Sequence, residues 1–276
     1  PLSQIISGIV LFGTCIYTQK CLGKENDILT SLVVCVAIFN PFLIANLLYL
    51  YDSLSMMVAL FFSVLACYFS IRKIEKYPSI KWDFYAILSL YVSFGLYQPL
   101  TNMFLGLAFL ILVKMFLQGV KICHTFLRVI TIYISSVAVY FITIYFYFQK
   151  SDRGSLIFST SEPFLEFSYN FQILYSNLAD IFLNGFYPYI IAFCIISYLV
   201  FVLTSLKTRP LLLSILMAVL PFLIVLTLFI LTLGPFMLLE RGLGGYRMIP
   251  SAGLILASIL FLMRYISFPP RILIAI

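Results

Sequence analysis

Residues 29–72 read LTSLVVCVAIFNPFLIANLLYLYDSLSMMVALFFSVLACYFSIR, and among the 42 residues between Leu29 and Arg72 only Asp52 is charged. One membrane crossing takes about 20 apolar residues at about 1.5 Å of rise each. The stretch is too long for one helix through a bilayer and long enough for two joined by a tight turn. Tyr49-Leu50-Tyr51-Asp52-Ser53 is the place for that turn, because it holds the carboxylate and a tyrosine pair. Asp52 then stands at the tip of a helical hairpin, at or near a membrane surface. An ionisable group so placed is costly and is a functional-site candidate. Which side of the membrane that tip faces decides the chemistry open to it.

The rest of the chain has the same character. Hydrophobic residues make up 63% and charged residues 10%, against about 25% charged in a soluble domain. The fold class expected is an all-α polytopic integral membrane protein. An outer-membrane barrel is excluded, since its strands alternate apolar and polar residues. The net charge of +7 comes without any basic run interleaved with aromatics, so it does not point to nucleic acid. The chain starts at Pro1 inside one apolar run and ends at Ile276 inside another. It reads as a piece of a longer polypeptide carrying one transmembrane domain over 1–276.

Nine membrane segments are expected, near 1–18, 29–48, 54–71, 84–98, 100–116, 127–149, 187–206, 211–233 and 248–267. The basic residues then sort by loop. Odd-numbered connections carry Lys20 and Lys24; Arg72, Lys73, Lys76 and Lys81; Lys114, Lys121 and Arg128; Lys207 and Arg209; Arg264 and Arg271. Even-numbered connections carry only Lys150, Arg153, Arg241 and Arg247, whereas most of the acids lie there. The positive-inside rule puts odd loops in the cytoplasm and even loops, with Asp52, outside.

Residues 84–113 are uncharged and hold Tyr97-Gln98-Pro99-Leu100-Thr101-Asn102. Proline removes an amide donor and disfavours helix at the residue before it. Two short helices meeting below the outer surface are expected, with Gln98, Thr101 and Asn102 at the vertex and Tyr97 leading into it; the plainer alternative is an ordinary kinked hairpin whose polar residues are solvated. Non-helical backbone is not tolerated against lipid, so the vertex lines a polar cavity or packs in protein. In the outer loop 150–186, Glu166, Asn170, Asn177, Asp180 and Asn184 share one helical face, and Phe167, Phe171, Leu174, Leu178 and Ile181 share another. That pattern predicts an amphipathic helix on the outer face. It serves as a cap on the bundle or as a wall presenting Glu166 or Asp180. The last outer loop, Leu239 to Pro250, sets Arg241, Tyr246 and Arg247 around a glycine-rich turn. Arginine is suited to phosphate oxygens, and glycine lets backbone amides approach an anion. Its plainer role is an interfacial anchor paired with Glu240.

The six cysteines lack CxxC spacing, and His124 is the only histidine. Neither a metal site nor a cofactor is expected. P-loop, dinucleotide and G-x-S-x-G signatures are missing as well. A polar cluster facing outside cannot depend on cytoplasmic nucleotide sugars. It suits a polyprenyl-phosphate-linked donor whose tail enters from the bilayer. Sugar transfer then needs a carboxylate base and a group that stabilises the leaving phosphate.

The segment Tyr51-Asp52-Ser53-Leu54-Ser55-Met56, the Leu96-Tyr97-Gln98-Pro99 vertex and the Arg241–Ile249 loop resemble bacterial seroconverting O-antigen glucosyltransferases of the type II family. That resemblance implies a GT-C-like bundle in the inner membrane. It implies transfer of glucose from undecaprenyl-phosphate glucose to O-antigen units of lipopolysaccharide on the periplasmic side. A donor-sugar flippase and a donor-synthesising glucosyltransferase are the implied partners. Such enzymes keep an acidic motif in the first outer loop; here it either precedes Pro1 or is replaced by a carboxylate such as Asp52. Two other readings stay open: an O-antigen polymerase or ligase, and a flippase or transporter of a lipid-linked saccharide.

Overall fold

A computed structural model describes residues 2–23, 28–48, 52–75, 80–147, 161–183, 211–237 and 250–266, with isolated positions between 188 and 203. Among these residues every element is helical. In chain order they are α1 (Leu2–Leu22), α2 (Ile28–Ile38), α3 (Pro41–Leu47), α4 (Ser53–Glu75), α5 (Ile80–Leu96), α6 (Asn102–Leu117), α7 (Cys123–Tyr147), α8 (Pro163–Phe182), α9 (Leu211–Met237) and α10 (Gly253–Ile266). Two 3-10 turns, Gln98–Thr101 and Pro250–Ala252, lead into α6 and α10. Four stretches are long and apolar enough to cross a membrane among the described residues: Leu2–Leu22, Ser53–Ile71, Gln98–Leu117 and Cys123–Phe146.

Side-chain contacts fix the directions. Ser7 lies 3.4 Å from Ser53, and the Tyr17 ring meets Phe61 and Tyr68. Helices α1 and α4 therefore run parallel. Helix α5 returns antiparallel, since Ser93 donates to the Ala59 carbonyl at 2.8 Å while Trp82 stacks on Phe69. Helix α7 then follows the direction of α5, with Ser136 against Ile87 and Tyr91 against Thr143. The core lies where α6 meets α4, α9 and α10, around Phe104, Leu107, Leu110 and Phe261. Between apolar helices in lipid there is little hydrophobic drive, so close backbone approach matters. Gly106 permits it: a Cβ there would stand 2.6 Å from Leu254 and 2.8 Å from Thr232.

The segment expected over 29–48 is not one helix. It breaks at Phe39-Asn40, because Pro41 has no amide proton and disfavours helix at Asn40. Asn40 is extended, and its side chain accepts from the Leu43 amide as the cap of α3. Helix α2, at 11 residues or about 16 Å, is short of a hydrocarbon core of about 30 Å. The α3–α4 junction does fall where the turn was expected, with Asp52 immediately before α4. Residues 49–51 lie outside the described residues.

The vertex expected at 97–102 is present. Helix α5 stops at Leu96, Tyr97 is extended, and a 3-10 turn over Gln98–Thr101 starts α6. Helix α6 ends with Gly119 at φ 74°, its amide bonded to Phe116 and that of Val120 to Met115. That left-handed residue redirects the chain into α7. Most of the segment expected over 187–206 lies outside the described residues. The one expected over 211–233 falls inside α9, and the one over 248–267 starts as a helix only at Gly253.

Candidate functional site

Two of the proline-marked breaks, the 98–101 and 250–252 turns, meet at one end of the bundle, where α3 and the start of α4 pack against them. Their polar side chains divide into a buried layer and an exposed lip. In the buried layer, Asn102 donates its side-chain amide to the Thr232 carbonyl at 2.9 Å, and Ser251 reaches the same oxygen at 3.3 Å. One carbonyl of α9 thus ties the start of α6 to the turn before α10. Asn40 is 2% exposed and donates to the Ala37 carbonyl at 2.8 Å. Gly253 packs against it, for a Cβ there would fall 2.6 Å from that carbonyl and against the Asn40 amide.

The exposed lip holds Asp52 and Gln98, with the half-buried Tyr140 of α7 beside Gln98. Asp52 is exposed, while its backbone carbonyl accepts from the Met56 amide and the Ser55 hydroxyl. Its neighbour Ser53 is fully buried against Ser7. Gln98 is exposed and donates to the Tyr140 hydroxyl at 2.5 Å. Tyr97 is half-buried.

The other sequence candidates separate. Asn102 is 2% exposed and bonded to backbone, so it braces the vertex from behind. Glu166 and Asp180 are on α8, which joins the bundle through α9. Glu166 is half-buried and Asp180 exposed. Arg241, Tyr246 and Arg247 lie outside the described residues; the chain on either side of them ends in α9 and in the Pro250–Ala252 turn.

Helix α8 spans the segment where an amphipathic helix was expected. Asn170 is fully buried, and Glu166 and Asn177 are half-buried on the same side with Leu174. Phe164, Tyr169, Phe171 and Tyr175 point outward. The buried side is mixed, Asn170 with Leu174, while these aromatic rings and Asp180 face away.

At the opposite end, Arg128 differs from an ordinary topological marker. It is 8% exposed, its Nε lies 2.5 Å from the Asp83 carboxylate, and it also donates to the Ser70 carbonyl. Three helices are clamped there by a charge-assisted pair. Sequence reasoning missed Asn40, Tyr140, Thr232, Ser251 and this clamp. Only Asn40 carried a sequence signal, the Asn-Pro pair.

An exposed carboxylate just before α4 and an amide bonded to a phenol just before α6, at the same end of a bundle braced by buried amides, are groups able to accept a proton and to bind hydroxylated rings. Over residues 1–262 the sequence matches the family model described as Glucosyl transferase GtrII. No curated protein and no solved structure matches it.

Proposed function

The chain belongs to the glucosyl transferase GtrII family, and from that premise we propose that it moves glucose from undecaprenyl-phosphate glucose onto O-antigen repeat units of lipopolysaccharide. The proposed setting is the periplasmic face of the bacterial inner membrane, with residues 1–276 forming one GT-C-like domain. A flippase and a donor-synthesising glucosyltransferase would deliver the lipid-linked sugar. Four long apolar helices support embedding in a bilayer. The sorting of Lys and Arg supports the sidedness.

The observation that carries the reading is the meeting of the 98–101 and 250–252 turns, at the end of the bundle where α3 gives way to α4 and Asp52 stands. In the proposed reaction, Asp52 takes the proton of an acceptor hydroxyl as its oxygen attacks the anomeric carbon of glucose. The bond from that carbon to the phosphate oxygen breaks, and the lipid phosphate leaves as an anion. Arg241 and Arg247, with Tyr246, hold that phosphate, since a guanidinium fork matches its oxygens. Tyr97, Gln98, Glu166 and Asp180 contact saccharide, with Asn102 supporting them through α9.

Asp52→Asn and Arg241→Ala in the whole protein test this. Removing a general base lowers the rate by about 10² to 10⁴, so glucosylated O-antigen is expected to fall at least 100-fold while membrane levels stay normal. Wild-type glucosylation in both variants would remove these site assignments.

A further inference from the structure

We propose that Gln98 and Tyr140, backed by Phe94, form a binding subsite for an uncharged hexose ring. The inference rests on the glucosyl-transfer reading above and adds to it a residue, Tyr140, 42 positions from Gln98 in sequence.

Gln98 is exposed, while the four residues after it, Pro99, Leu100, Thr101 and Asn102, are all buried. Its amide donates to the Tyr140 hydroxyl at 2.5 Å. That bond uses one amide proton and one phenol lone pair. Among the described residues it leaves the amide oxygen, the second amide proton and the phenol proton unused. An acceptor and two donors are thus held side by side on an exposed rim.

Acyl chains cannot satisfy such groups, so in a bilayer-embedded protein they need water or a polar ligand. Among the described residues no charged side chain is bonded to the pair, and a phosphate would call for one. Neighbouring hydroxyls on a sugar ring fit the donors and the acceptor together.

The pair is also held in place. The Tyr140 ring stacks on Phe94 at 5.4 Å and 25°, and Phe94 meets Tyr133 at 5.9 Å. Tyr133 in turn stacks on the fully buried Phe104 at 6.3 Å and 10°. This aromatic ladder runs from the rim into the core and fixes the phenol without a ligand, which lowers the ordering cost of binding. A tyrosine serving only as an interfacial anchor needs neither the ladder nor the amide partner.

The test uses the full-length protein in lipid vesicles, with undecaprenyl-phosphate glucose as donor and an O-antigen repeat unit as acceptor. Tyr140→Phe deletes one hydroxyl and keeps the ring. It is expected to raise KM about threefold to tenfold, the range for a lost neutral hydrogen bond. The rise should affect one of the two sugar substrates, with kcat and thermal midpoint close to wild type. The substrate affected tells whether the donor glucose or the acceptor occupies the subsite. Gln98→Leu should raise the same KM, and the double variant should go no further, because the two groups act as one unit. A second arm needs no turnover: saturation-transfer NMR with methyl glucoside should show binding to wild type and its loss in Tyr140→Ala. Unchanged KM values with no Tyr140-dependent NMR signal would overturn the subsite. A wild-type protein that binds methyl glucoside through Tyr140 yet transfers no glucose would overturn the reaction and leave the subsite standing.

Discussion

Asn40 shows how one buried amide can set the geometry of a site it does not touch. Its oxygen caps α3 by accepting from Leu43, and its nitrogen donates to the Ala37 carbonyl of α2. Both sides of the break are thereby held by one side chain, which fixes the angle between the two helices. Helix α3 then leads to Asp52, so an error in that angle reaches the proposed base. Losing a cap costs about 0.5–2 kcal/mol, and a buried carbonyl left without its donor costs about 1–3 kcal/mol. Asn40→Ala is therefore expected to destabilise the detergent-purified protein by about 1–3 kcal/mol in thermal unfolding. Asn40→Ser, which retains the cap oxygen, should lose less. Gly253→Ala attacks the same joint from α10 by overpacking, at about 1–3 kcal/mol. If Asn40→Ala and Gly253→Ala both melt with the wild type, the joint is held by something other than this contact.

At the scale of elements, the length of the 29–72 run was enough to demand more than one helix, and the lone Asp52 placed the second turn correctly. The first break was legible as well, because Asn40-Pro41 obeys the same proline rule that revealed the 97–102 vertex. Division by crossing length hid it, since that argument assumes each piece spans the bilayer. The joining of Gln98 to Tyr140 and of Asn102 to Thr232 was not legible, because no local pattern encodes partners 42 or 130 residues away. Helix α8 is the intermediate case. Its period gave two faces and could not say which one meets the bundle. In water the apolar face turns inward; here Asn170 is fully buried and Phe164 is 89% exposed. Leu174 is buried beside Asn170, and the outward row of aromatic rings suits a helix whose outer neighbour is lipid. Spin labels at Phe164→Cys and Tyr175→Cys are expected to be relaxed by lipid-soluble oxygen, whereas one at Glu166→Cys should not be. The reverse pattern would mean that the aromatic face packs against protein.

For the whole molecule, direction and charge can be compared. Helices α1 and α4 run one way and α5 and α7 the other, so the ends of the bundle separate the candidate site from the basic turns. Asp52 and Gln98 lie at one end. Asp83, Arg128, Lys121 and the exposed Cys123 lie at the other. The proposed reaction requires the first end to face the periplasm, because a lipid-linked donor presented there replaces the nucleotide sugars of the cytoplasm. Burying Arg128 in the clamp with Asp83 and Ser70 removes it from the exposed topological charges. The cytoplasmic bias still holds, since only four of the 17 basic residues lie in even-numbered loops. Cysteine labelling decides the orientation. With the other native cysteines replaced, a membrane-impermeant maleimide should modify Asp52→Cys and Gln98→Cys in cells whose outer membrane alone has been opened. Native Cys123 should react only after the inner membrane is permeabilised. Labelling of Cys123 first, with positions 52 and 98 protected, would place the candidate site in the cytosol and exclude a periplasmic transfer.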